Sequence, residues 1–288
     1  MKNIKQNAKW YLLGVLFLAN VLIWYAIFAE ERAGILTVAF LDVGQGDAIF
    51  IEAPNGNQML IDGGVNTRVL QELSAVMPFY DRSIDVVLAT HPDKDHIGGL
   101  PAVLKNFKVD YFIEPGVAAE TSVYRELVRL VMSEEGMEKV LARRGMKVFL
   151  DETTYLLILF PDRDMSGANA NDASIIAKLV YEDTSFLFTG DASQKMENFV
   201  VSLDEKMIDV DVLKVGHHGS KTSTSDLFLG YASPLFSVIS AGAANRYGHP
   251  NEEVIARLEQ FESEILRTDE SGTVIFKSDG KNVRVINF

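Results

Sequence analysis

The sequence predicts a mixed α/β domain behind a single membrane-spanning helix, and three observations predict it. Residues 10 to 28 contain no charged side chain, which is the length a helix needs to cross a bilayer. From Ile35 onward the pattern changes to short apolar runs set between turn residues and interleaved with stretches of helical period. Strands alternating with helices read this way. Side chains of the metal-binding kind collect just after the apolar runs, where strands end. The predicted organisation is an N-terminal anchor over 1–34, with its span at about 10–28, and one domain over 35–288.

Composition narrows the chemistry. A hydrophobic share of 48% supports a packed core in a chain of 288 residues, so disorder is excluded. There is no cysteine, hence no disulfide framework and no thiolate ligand; any metal is held by His, Asp, Glu or amides. The formal net charge of −13 argues against a long basic track for nucleic acid, although it says nothing of local distribution.

In the first segment Trp10, Tyr11, Trp24 and Tyr25 sit near the ends of the apolar run, as interfacial anchors do; Lys2, Lys5 and Lys9 precede it, and Glu30, Glu31 and Arg32 follow. That bias predicts the N-terminus inside and the rest outside. A signal peptide cleaved after Ala29 is the alternative, but the apolar core is long for one and Ile27 is a poor small-residue match, so an uncleaved anchor is preferred.

Runs 36–41, 48–52 and 58–62 are separated by Gly44-Gln45-Gly46-Asp47 and Pro54-Asn55-Gly56-Asn57, an antiparallel meander. Residues 69–80 form a helix with Leu70, Leu73, Val76 and Met77 on one face, leading to a buried strand at 84–89. His91, Asp93, Asp95 and His96 follow in the loop at its end; Gly98-Gly99 then allows a tight turn, and Leu100-Pro101 opens a helix with proline in its first turn. A strand at 109–113 precedes a helical region, 122–144, striped by Tyr124, Leu127, Val128, Val131 and Met132 and split into two helices at Gly136.

Strands at 147–150 and 155–160 lead to a polar loop, 169–174, and a strand at 175–180. The apolar run 185–191 delivers Asp191 at its end, and a helix with Met196, Phe199 and Val200 comes next. The strand at 210–216 ends in His217 and His218. Adjacent residues on an extended chain point opposite ways, so one of them, His217, is expected to face a metal, with His218 behind it or on the substrate. A strand at 236–240, the string Asn245-Arg246-Tyr247-Gly248-His249-Pro250, a helix at 252–261 and strands at 265–268, 273–277 and 283–286 complete the chain. All five histidines fall in these strings, whereas solvated histidines would scatter.

Imidazole and carboxylate crowded into one loop suit zinc, manganese or iron. The plainer alternative is a solvated acidic loop before a helix N-terminus, which favours carboxylates. His91-Pro92-Asp93-Lys94-Asp95-His96 resembles the His-x-His-x-Asp-His signature of the metallo-β-lactamase superfamily, with Asp93 at the second histidine position. That variant is similar to the soluble C-terminal domain of ComEC-type DNA-uptake competence proteins. Asp42-Val43-Gly44-Gln45-Gly46-Asp47 resembles the opening of the same domain, Asp62-Gly63-Gly64 matches it after the third strand, and Thr189-Gly190-Asp191 matches the superfamily.

The resemblance implies a metallo-β-lactamase-like αβ/βα four-layer sandwich holding two divalent metal ions, Zn2+ or Mn2+. The implied ligands are His91, Asp93, Asp95, His96, His217 and a bridging Asp191. Asn171 is a weak ligand where the superfamily carries histidine, with Asp172 the other candidate. Asp95, His218 and His249 are the implied catalytic groups, His249 contacting a phosphate or protonating the leaving oxygen; residues 42–47 and 62–64 are given supporting roles only. The expected function is a membrane-anchored phosphodiesterase or nuclease acting on DNA outside the cytoplasmic membrane, with basic contacts from Lys214, Lys221 and Arg246. It differs from full-length competence proteins in lacking their polytopic channel. Alternatives are a hydrolase of cell-wall phosphodiesters or of a small ester or lactone, and a non-catalytic surface-binding or scaffold domain.

Overall fold

Helix α1 (Lys2–Arg32) opens the computed structural model, which describes residues 2–32, 34–243 and 245–286. Its window Asn7–Tyr25 has a mean hydropathy of 1.4 and is not buried against the rest of the chain, so it is long and apolar enough to cross a membrane. The side chains of Lys2, Lys5, Glu30, Glu31 and Arg32, which carry the flanking charge, lie outside the described residues, as does that of Ala29.

Strands β1 (Leu36–Phe40), β2 (Ile49–Glu52) and β3 (Gln58–Ile61) form the expected meander; β4 (Ser83–Leu88), β5 (Lys108–Glu114) and β6 (Glu138–Leu141) extend it in parallel. The second sheet contains β7 (Lys147–Phe149), β8 (Thr154–Phe160), β9 (Ile176–Tyr181), β10 (Thr184–Phe188), β11 (Val212–Lys214), β12 (Phe236–Ile239) and β13 (Glu264–Arg267). The chain then returns to the first sheet through β14 (Val274–Ser278), which pairs with β1, and β15 (Val283–Val285). Among the described residues the orders are β15-β14-β1-β2-β3-β4-β5-β6 and β13-β12-β11-β10-β9-β8-β7.

Three apolar layers make this a four-layer sandwich. Between the sheets, Phe40 and Phe186 pack edge-on against Phe276 with ring centroids 5.8 and 5.9 Å away, the favoured arrangement of aromatic quadrupoles. Outside the first sheet, α2 (Arg68–Val76), the short α3 (Lys94–Ile97), α4 (Leu100–Asn106) and α5 (Ser122–Ser133) bury Leu73, Ile97, Val103 and Leu127. Outside the second, α6 (Gln194–Asp204), α7 (Asp226–Ala232) and α8 (Glu252–Gln260) bury Val200, Phe228 and Leu258; α9 (Thr268–Ser271) caps β13.

Two expectations fail here. The stretch after Gly136 is a strand, β6, because Val140 alternates with exposed neighbours and the edge of β5 offers it a parallel ladder; tertiary pairing overrides helical propensity. Met132 belongs to no buried stripe and is 73% exposed, since the face of α5 that packs runs through Leu127 and Val131. Helix α7, started by the Ser225 hydroxyl accepting the Phe228 N–H, had no counterpart in the sequence reading.

The site lies where parallel strands end together. β3 pairs in parallel with β4, and β10 with β11 and β11 with β12, so the loops after them leave the sheets at one edge, as ligand-binding loops do in α/β folds. Close approach of those loops needs glycine. A Cβ on Gly46 would stand 1.9 Å from the Asp95 carbonyl oxygen, and Gly46 has φ +119°, a region L-residues avoid.

Candidate metal centre

Asp191 stands in the middle of the histidines. Its Oδ1 is 3.2 Å from His96 Nε2, and its Oδ2 is 3.8, 3.6 and 3.6 Å from the Nε2 atoms of His91, His217 and His218. Thr189 and Gly190 close the turn after β10, and the Ser174 hydroxyl accepts the Asp191 N–H at 3.2 Å. Asp47, His96, Asp191 and His218 are all buried and offer ligand atoms within 4.8 Å of one another.

Each ring has its other nitrogen occupied. His96 Nδ1 meets Asp62 Oδ2 at 2.7 Å, His218 Nδ1 donates to the Ser240 carbonyl at 2.9 Å, His91 Nδ1 meets Thr90 Oγ1 at 3.1 Å and His217 Nδ1 meets Thr222 Oγ1 at 3.2 Å. Such partners fix tautomer and orientation and leave Nε2 for a cation. The Nε2 atoms of His96 and His218 come to 3.3 Å, and His91 Nε2, Asp191 Oδ1 and Asp47 Oδ1 are buried without a hydrogen-bond partner. Orphaned buried polar atoms are costly, and divalent cations bound among them would satisfy them. The donor set, nitrogen and carboxylate oxygen without sulfur, fits zinc or manganese.

Burial and charge set the protonation. Burial and the neighbouring His96 pull His91 down to about 3. Burial also opposes charge on His218, but the Asp191 and Asp47 carboxylates outweigh it and raise the ring to about 9. His96 is raised in the same way, and Asp191, despite burial, is held well below the usual carboxylate range by His218 and His96. The protons on His96 and His218 offset the charge of the clustered acids.

Several sequence expectations change. His218 is 1% exposed and joins the buried set, whereas His217 is 26% exposed at the rim. The premise of an extended strand fails because both residues have positive φ, 48° and 54°, so the turn sends both rings toward Asp191. Asp47 was given a supporting role; it is 1% exposed and lies in the cluster itself. Asp62 supports indeed, accepting the Thr90 N–H at 2.8 Å, the Thr90 hydroxyl at 2.6 Å, and facing His96. Lys214, expected to touch a polyanion, is fully buried, ion-paired with Asp47 and donating to the Gly190 carbonyl at 3.1 Å. Lys221 and Arg246 are exposed.

Asp95 lies 3.6 Å from His218 Nε2 with its side chain 30% exposed, and Asp93 lies 3.8 Å from His91 Nε2 at 48% exposed. Both line the mouth. His249 packs edge-on against His217 with ring centroids at 5.6 Å and stacks on Tyr247 at 5.9 Å. Asn171 sits in a one-turn 3-10 helix, where its N–H donates to Asn169 Oδ1; among the described residues its side chain joins none of the contacts around Asp191. Asp172 accepts the Ser193 hydroxyl at 2.5 Å and lines a separate cavity with Phe160, Met165 and Phe199.

Residues 41–242 match the metallo-beta-lactamase superfamily domain, and the chain belongs to that superfamily. It is similar to ComE operon protein 3 of Bacillus subtilis, with 32% identity over 83% of this chain and 33% of the relative. It is also similar to competence protein ComA of Neisseria gonorrhoeae, with 29% identity over 91% of this chain and 35% of the relative. The chain thus spans about a third of the length of these curated relatives. Among solved structures, the metallo-beta-lactamase fold protein YhfI of Bacillus subtilis shares the fold at a TM-score of 0.56 and 11% identity, over 84% of this chain and 99% of that one.

Proposed function

We propose that the protein is a membrane-anchored, metal-dependent phosphodiesterase acting on DNA outside the cytoplasmic membrane. The observation that carries this reading is the buried set Asp47, His91, His96, Asp191 and His218 with Asp93, Asp95 and His217 around its mouth. Similarity to competence proteins supports DNA as the substrate. The apolar helix α1 and the positive charge before it support the location and the outward side.

A divalent ion held there supplies Lewis acidity, favouring ionisation of water and stabilising the charge that grows on a phosphoryl group. Divalent ions would be held around Asp191 by His96, His218, Asp95 and Asp47 on one side and by His91, Asp93 and His217 on the other. Asp62, Thr90 and the Ser240 carbonyl hold the rings in register, and Lys214 compensates Asp47. His249, beside His217 at the mouth, orients a phosphate or moves a proton at the leaving oxygen.

One observation favours a second reading. The net charge of −13 and the burial of Lys214 leave few cations to track a long polyanion, which suits hydrolysis of a shorter phosphodiester such as one in the cell wall. The test is a screen of Zn2+, Mn2+ and Mg2+ with single-stranded DNA, double-stranded DNA and bis-nitrophenyl phosphate. Metal-dependent cleavage of DNA is expected. Cleavage of the small ester alone selects the second reading, and inactivity on all three with metal bound removes both.

A further inference from the structure

The surface farthest from expectation is a groove of about 480 Å³ at the β1, β2 and β14 side of the first sheet, lined by Ile35, Phe50, Phe79, Tyr80, Lys277 and Ile286 among others. Phe79 is 86% exposed, more than Trp10 of the apolar helix at 73%; Tyr80 is 63% and Ile286 51% exposed. Phe79 and Tyr80 brace each other edge-to-face at 5.4 Å, so the pair is presented as one aromatic wedge at the tip of the turn after α2. Exposed apolar side chains gathered on one groove mark a contact surface, whereas single ones are ordinary.

The chain itself says what lies near this groove. Ile35, which lines it, follows the end of α1 at Arg32 by three residues. Three residues reach at most roughly 10 Å, and the last turn of α1 beyond Phe28 adds about 6 Å. The groove therefore stays within roughly 16 Å of the end of the apolar segment, too short a tether to hold it far from a headgroup layer. Tyrosine and its kin prefer that layer. The strongly acidic domain is repelled by anionic lipid, so the matching surface is zwitterionic.

We infer that the Phe79–Tyr80 wedge and its groove dock on a zwitterionic phospholipid headgroup interface, so that the domain lies against the membrane. The inference rests on α1 spanning the bilayer. Docking fixes which side of the domain faces lipid and keeps the reaction at the membrane surface.

The absence of cysteine makes the test clean. Full-length Phe79→Cys, Tyr80→Cys, Phe149→Cys and Leu16→Cys proteins are each labelled with an environment-sensitive fluorophore and reconstituted into phosphatidylcholine vesicles. Labels at 79 and 80 are expected to emit at shorter wavelength in vesicles and to be quenched by lipids brominated near the headgroup, insensitively to salt. The label at Phe149, an exposed residue on β7, stays in water. If Leu16 is lipid-buried while 79 and 80 match 149, docking is overturned and the anchor stands. If Leu16 is itself in water, the anchor reading falls and takes this inference with it.

Discussion

Asp191 with four Nε2 atoms or carboxylates converging on it makes individual contributions separable. His218→Ala is expected to lose bound metal, as is Asp47→Ala, because each removes a buried donor of the tight cluster. His217→Ala, at the rim, is expected to keep more; metal content by atomic spectrometry after dialysis ranks them, and equal loss would return His217 to the inner set. Asp62→Asn is expected to weaken metal affinity by roughly 10- to 100-fold, the usual effect of losing a ligand's orienting partner. His249→Ala should retain metal and lose turnover by about 10²- to 10⁴-fold if the ring transfers a proton. At this scale residue type and spacing advertise the donors of the 91–96 loop, whereas Asp191 stands out only through the resemblance of Thr189-Gly190-Asp191 to the superfamily's element. The sequence hid Asp47, which looks like any aspartate in a glycine-rich turn, and it misordered His217 and His218, because the left-handed backbone of both has no signature in a string of two histidines between glycines. Lys214 reads as a surface cation until its burial against Asp47 is seen.

Helix α6 packs its buried Glu197 behind the histidine turn. Glu197 accepts the Thr224 N–H at 2.8 Å and the Ser225 N–H at 3.2 Å, and a Cβ on Gly216 would lie 3.0 Å from its Oε1. Burial, only partly offset by those N–H groups, raises its pKa from 4.5 to about 7. The folded chain therefore holds this proton more tightly than the unfolded one. Its stabilising effect is complete below about pH 4.5, falls as pH rises through about 7, and amounts to about 3 kcal/mol across that window. Denaturation midpoints at pH 5 and pH 8 should differ in the parent and converge in Glu197→Gln; an unchanged slope would reassign the effect to other groups. Gly46→Ala is expected to lower stability by about 1–3 kcal/mol, read as a lower Tm, because the β1–β2 loop would have to move off the Asp95 carbonyl. Elements with a strong period, α2, α8 and the meander, were legible in the sequence. β6 was not, since Glu138–Leu141 becomes a strand only beside β5, and α7 was missed because its seven residues are too few to establish a period.

On the scale of the whole molecule, the two sheets and their outer helices followed from resemblance more than from pattern, which yields only mixed α/β; three separate cores depend on contacts far apart in sequence. The apolar helix α1 was plain from composition, and the outward topology proposed for it makes a prediction: protease added to intact cells should digest the domain, and protection until lysis would reverse the topology. Binding to DNA should fall steeply with salt and be weak, given the charge of −13. Finally, His96 and His218, 122 positions apart and 3.3 Å apart in space, come one from each sheet's loops, as do Asp47 and Asp191. An ion bound there would be a clasp between the halves of the sandwich and would stabilise by its binding free energy, since the unfolded chain has no such site. Chelation should therefore lower Tm and accelerate amide exchange together in the β4–α3 and β10–β11 connections, the seam unzipping from both sides rather than from one.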